Sequence, residues 1–261
     1  MRCLYLIAIS LLHFAAAGVQ TQTLLDELVD EAKQDMRPES VLATFKGTRL
    51  IHGQTVEMPA SGDLQFLIQH RFGRVNTGFY EMFGWDQASI RIGLDYTLPF
   101  ADFFSVGLGR SSYGKTWDGY GKFRLLQQKT SGGPLSLVYI ASMAINGLKP
   151  PSGMEAMPFR SRISYVHQVL LARKFSSRLS FQLSPTVVHR NLVPLSTDAN
   201  TFFVLGSGGH VRVSRRVAIT AEYFWLIPGQ AIPGIYGQQP TGAISLGVDI
   251  ETGGHVFQFH V

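Results

Sequence analysis

The sequence predicts an all-β fold: an antiparallel, up-and-down transmembrane β-barrel of about 12 strands, preceded by an export signal and a short N-terminal helix. Three observations predict it. From about residue 43 onward, apolar residues recur with a period of two, opposite Arg, Asp, Glu, Ser, Thr and Gly. The links between the expected strands alternate between short and long. No apolar stretch after residue 17 approaches the length of a membrane helix, so a chain of this kind enters a bilayer only as strands. The expected organisation is a signal peptide over residues 1–17, an N-terminal helix and linker over 18–42, and a β-barrel domain over 43–261.

At the N-terminus, Arg2 precedes an apolar run from Leu4 to Phe14, and Ala15-Ala16-Ala17 supplies small residues for cleavage. That order reads as a secretory signal peptide for export through the Sec pathway, too short for a spanning helix. Cleavage removes Cys3, the one cysteine, which excludes disulfides, cysteine-based zinc sites and thiol nucleophiles from the mature chain. It leaves 22 basic against 18 acidic residues, a mild excess with no Lys/Arg run suited to nucleic acid. Next, Leu24, Leu25, Leu28, Val29 and Ala32 recur at helical spacing between Thr23 and Met36, and Pro38 follows. Ala43–Ile51 with Thr55–Met58 reads as a hairpin around His52-Gly53 that either pairs with a barrel edge or sits in the lumen.

Strands are expected at 63–72, 88–98, 103–110, 117–127, 135–145, 162–174, 178–190, 202–213, 217–226, 242–250 and 254–261. In the second, Ile90, Ile92, Leu94, Tyr96 and Leu98 oppose Arg91, Gly93, Asp95 and Thr97. In the seventh, Leu179, Phe181, Leu183 and Val187 oppose Ser180, Gln182, Ser184, Thr186 and Arg190. Short links fall at Pro99–Asp102, Phe175–Ser177, Ser214–Arg216 and Glu251–Gly253, with a medium one at Gln128–Pro134. Long ones fall at Gly73–Gln87, Asn146–Ser161, Asn191–Thr201 and Ile227–Thr241, with a shorter Ser111–Thr116. Short turns on one rim and long loops on the other are the layout of outer-membrane barrels. Tyr96, Phe103, Phe104, Trp117, Phe175, Tyr223 and Trp225 near strand ends fit interfacial girdles.

Several stretches resemble a family of uncharacterised β-barrel proteins of Bacteroidota, a domain of unknown function. They are Phe45-Lys46-Gly47-Thr48-Arg49-Leu50, His70-Arg71-Phe72-Gly73, the run from Phe83 to Tyr96, Gly109-Arg110-Ser111-Ser112, Ala172-Arg173-Lys174-Phe175 and the run from Ile250 to Gln258. The resemblance implies an outer-membrane barrel and supplies no activity. The family continues past the point where this chain stops, at Val261, so a C-terminal strand is expected to be missing and closure is in question.

Alternation alone leaves three functional readings open. The first is an outer-membrane barrel acting as a narrow, porin-like pore or as a surface binding protein. The second is a soluble periplasmic β-sandwich or barrel around an apolar ligand, and the third an outer-membrane lipid-modifying enzyme. The expected lumen-facing polar residues are Arg91, Asp95, Asp118, Lys122, Arg124, Arg190, Arg212, Glu222 and Asp249. Buried charges must pair, so these either brace the wall through ion pairs or set the ion preference of a pore. No catalytic, cofactor-binding or metal-binding residues are expected. The glycine pairs Gly107/Gly109 and Gly206/Gly208 lie in strands with no helix following, unlike a phosphate loop. The histidines lack helix-borne ligand spacing, and the best Ser–His pair is His189 with the Ser184 region. The expected partners are outer-membrane lipid and lipopolysaccharide and the barrel-assembly machinery, with no nucleic acid and an unknown small-molecule or ion ligand. The long loops Gly73–Gln87 and Ile227–Thr241, rich in Gly, Pro and aromatics, are expected to form either a binding surface, if they face outward, or structured caps over the barrel.

Overall fold

The computed structural model describes residues 39–73, 75–150, 152–153, 155, 157–232, 240–253 and 255–261. The expected signal peptide, the helix Thr23–Met36 and part of the Ile227–Thr241 loop lie outside the described residues. The period-two pattern becomes eleven strands: β1 (Leu64–Arg71), β2 (Ser89–Leu98), β3 (Ala101–Ser111), β4 (Trp117–Leu126), β5 (Ser136–Ile145), β6 (Ile163–Lys174), β7 (Leu179–Arg190), β8 (Thr201–Arg212), β9 (Val217–Leu226), β10 (Ala243–Thr252) and β11 (His255–His260). Each falls within two residues of its expected ends. All eleven form one sheet in chain order. Every strand is antiparallel to its sequence neighbours, which is the up-and-down topology. With strands alternating in direction, the loops after β1, β3, β5, β7 and β9 gather at one rim and the mostly shorter links at the other.

Burial is inverted relative to a water-soluble protein. Asp95, Thr97, Ser105, Ser180, Gln182, Thr220, Glu222 and Asp249 are buried, while Phe66, Ile68, Leu94, Phe181, Leu183, Ile219 and Leu246 on the opposite face are exposed. A soluble sandwich would put those apolar side chains in its core, so this inversion overturns that reading. Strands β2 to β10 run 10 to 12 residues, the length that crosses a hydrocarbon layer when tilted. On the outer face, Phe104 stacks on Phe123 at 4.4 Å near the short-turn rim. Near the long-loop rim, the Arg110 guanidinium lies 4.7 Å from the Trp117 ring centroid. Aromatics and arginines at these two levels suit the two faces of a membrane.

Residues 44–58 fold as a hairpin against the inner face of the sheet. Leu50 N donates to Gly53 O and Thr55 N to Thr48 O, with a bridge between Arg49 and Gln54. Strands β1 and β11 are the sheet's two edges, and no ladder joins them among the described residues. Both nevertheless reach one short stretch of the hairpin, residues 48–50. Thr48 Oγ1 donates to Gln65 of β1 at 2.9 Å, and Gln258 Nε2 of β11 donates to the carbonyls of Arg49 and Leu50 at 3.1 and 3.0 Å. A sheet whose first and last strands meet one short segment is rolled around it. Of the two places open to the hairpin from the sequence, it takes the lumen. Of a second compact unit the structure describes Glu39 and residues 130–132, where Thr130 N donates to Glu39 O.

Candidate functional site

The hairpin enters and leaves the lumen at the short-turn rim. On the way in, Lys174 Nζ donates to Leu42 O at 2.8 Å. On the way out, Thr97 Oγ1 donates to Pro59 O at 2.9 Å. Between these anchors, Phe45, Leu50 and Val56 pack on Val138, Ile140, Leu170 and Ala172, so one side of the lumen is apolar. That arrangement explains inward apolar residues on β5 and β6, where a water-filled channel would carry polar ones.

Four of the nine polar candidates serve the hairpin. The Glu222 carboxylate accepts from the backbone N–H groups of Ile51, His52 and Gly53 at 3.0 to 3.4 Å, which satisfies the donors of the hairpin tip. Asp95, fully buried, forms an ion pair at 3.1 Å with Arg49, whose guanidinium also donates to the Tyr120 hydroxyl at 3.2 Å. Lys122 Nζ donates to the Glu57 carbonyl. Asp249 accepts from Gln258 Nε2 at 3.0 Å and so orients the amide that holds the hairpin to β11. Only Arg91 and Asp118 form the expected ion pair within the wall, with Arg91 Nε donating to Asp118 Oδ1 at 2.9 Å. Arg124 borders a small cavity beside Glu57, Arg190 lies 5.7 Å from the buried Phe202 ring, and Arg212 is half-buried at the short-turn rim. None of these last three forms an ion pair among the described residues.

Glycine makes room for this filling. A Cβ on Gly107 would overlap the Tyr120 ring, one on Gly109 the Arg91 guanidinium, and one on Gly208 the Leu50 side chain. The paired glycines singled out in the sequence are therefore sites of close approach.

Toward the long-loop rim, above the hairpin tip, a pocket of about 180 Å³ remains, lined by Arg49, His52, Gln69, Arg71, Arg91 and Asp118 among others. His52 stacks edge-on against His260 of β11 at 5.5 Å. Burial, then the nearby Arg71 and His260, pull its pKa down to about 4, so the imidazole is neutral at physiological pH. Over the rim, Phe79, Tyr80 and Trp85 of the Gly73–Gln87 loop are exposed, Tyr80 at 95%, and Trp85 stacks on Phe72 at 5.4 Å. Met82 and Phe83 take φ of 46° and 54°, a left-handed conformation that residues with a side chain rarely adopt.

Arg49, Arg71, Gln182 and Gln258 were not among the expected site residues. For the three wall residues the signal was face parity: Arg71 falls on the same face of β1 as Gln65 and Gln69, opposite Phe66 and Ile68. His189 and Ser184 project to opposite faces of β7, and His189 Nδ1 lies 2.8 Å from Thr201 Oγ1. Among the described residues no cluster of three or more His, Cys, Asp or Glu side chains could hold a metal ion.

No curated protein and no solved structure matches the chain. Residues 45–261, from the lumen hairpin through the last strand, match one family model, and the chain therefore belongs to the family described as "Membrane bound beta barrel domain (DUF5777)".

Proposed function

We propose that this is a non-catalytic outer-membrane barrel with a filled lumen, serving as a binding protein at the cell surface and not as an open pore. The observation that carries it is the hairpin 44–58. It packs Phe45, Leu50 and Val56 on the inner wall and engages Glu222, Asp95, Gln182 and Gln258, which an open channel would leave to water. The leader Arg2 to Ala17 supports Sec export, and long loops on one rim support an outward-facing surface above short periplasmic turns. The resemblance to Bacteroidota barrels supports an outer membrane of that kind, with lipid and lipopolysaccharide around the apolar face and the barrel-assembly machinery as insertion partner. The opposite-facing Ser184 and His189 argue against a lipid-modifying site on β7.

The test is to express the full chain, recover the carbonate-washed outer membrane, and insert the purified protein into planar bilayers. A heat-modifiable band with no steady conductance is expected, and a stable open channel in the wild type would overturn the filled-lumen reading. Release into the soluble periplasmic fraction would overturn the membrane location as well.

A further inference from the structure

The pocket above the hairpin tip has more donors than acceptors. Arg49, Arg71 and Arg91 all line it. Arg49 is paired with Asp95 and Arg91 with Asp118, whereas Arg71 has no ion pair among the described residues. The two glutamines beside them have their oxygens committed. Gln54 Oε1 accepts from Arg49 Nη1 at 3.2 Å and Gln69 Oε1 from Arg91 Nη1 at 3.0 Å. Both glutamines line the pocket, and their amide N–H groups make no hydrogen bond among the described residues. The one acid on the lining, Asp118, is already held by Arg91 through two bonds. A guanidinium and two amide donors lining one half-open pocket match the chemistry of an oxyanion.

We propose that this pocket binds a small oxyanion group, carboxylate or phosphate, with Arg71 as its counter-ion and Gln54 and Gln69 as flanking donors. The inference rests on the filled-lumen reading, because the hairpin provides the pocket's floor through Arg49, His52 and Gln54. About 180 Å³ suits a free solute of a few heavy atoms or the charged end of a larger molecule such as a phosphorylated lipid headgroup. Arg71 belongs to the last residue pair of the β1–β2 ladder, opposite Ser89, so replacing it leaves the rest of the ladder in place.

The experiment uses the full chain in detergent micelles, with heat modifiability as the check on folding for every variant. Inorganic phosphate and succinate are titrated by calorimetry against wild type, Arg71→Gln and Arg71→Lys. Saturable binding of either anion is expected, weakened roughly tenfold or more in Arg71→Gln, the loss of one charge-assisted contact, and partly restored in Arg71→Lys. Binding of phosphate-bearing lipid A in mixed micelles, lost in Arg71→Gln while free phosphate and succinate do not bind, would support the site and assign its source to lipid. No Arg71-dependent binding of any of the three probes would overturn the proposal. Bilayer conductance of the same preparations separates the two readings: an open wild-type channel overturns the filled lumen, whereas a closed barrel without Arg71-dependent binding overturns the anion site alone.

Discussion

The wall opposite the seam and the seam itself solve the same problem in different ways. At β5 to β8 the strands are mostly 12 residues long with extended ladders, and on β5 and β6 the inner face is apolar: Val138, Ile140, Leu170 and Ala172 bury against the hairpin's Phe45 and Val56. At the seam, β1 has 8 residues and β11 has 6, no ladder connects them among the described residues, and single amides, Gln65 and Gln258, reach the hairpin instead. Hydrophobic burial thus fixes where the hairpin sits, while directional hydrogen bonds tie the two edges to it. Burial tolerates small shifts and contributes most of the free energy, and the amides set register at the edges.

The largest expected effect breaks the apolar side. Leu170→Ala removes a side chain that is fully buried against the hairpin and should destabilise the folded barrel by about 3 kcal/mol, read from urea unfolding in lipid vesicles. A similar or slightly smaller loss tests the outer face of the same wall. Leu183→Arg, near mid-strand, should cost about 2–4 kcal/mol, whereas Leu179→Arg at the strand's short-turn end should cost roughly 0–1 kcal/mol. Equal costs at the two positions would contradict the membrane depth assigned to β7. At the seam, Gln258→Ala should cost only about 1 kcal/mol globally. Its clearer signature is faster protease cleavage within residues 44–58, and unchanged protection would show that β11 does not hold the hairpin.

The smallest effect is a pH dependence at the hairpin tip. His52 has a folded-state pKa of about 4, below its ordinary 6.5, because burial and then Arg71 and His260 disfavour the imidazolium. The folded state therefore binds fewer protons than the unfolded state between those values, so stability is complete above pH 6.5 and falls as the pH drops toward 4. The carboxylate of Glu222, which accepts from the His52 N–H, shares this environment. His52→Gln should flatten that part of the stability profile measured from pH 7 to pH 4, and an unchanged slope would place the titrating group elsewhere.

Much of the fold was readable from the chain. Alternation of Ile90, Ile92 and Leu94 with Arg91, Gly93 and Asp95 located β2 and assigned its faces, and the same rule located the other strands. Asp95, Lys122, Glu222 and Asp249, read from the alternation as polar-face residues, are buried. Their partners were not readable. Reading wall charges as pairing with each other held for Arg91 and Asp118 alone, because Asp95, Lys122 and Glu222 turn to a hairpin that lies far away in sequence.

The sequence by itself determined which segments are strands, which side chains share a face, and which rim carries the long loops, because each follows from a pattern spanning a few neighbouring residues. Only the tertiary structure decided what fills the lumen. The contacts that hold the hairpin join residues 170 and 209 positions apart, such as His52 with Glu222 and Arg49 with Gln258. No local periodicity encodes those pairs, and only rolling the whole sheet brings them within reach.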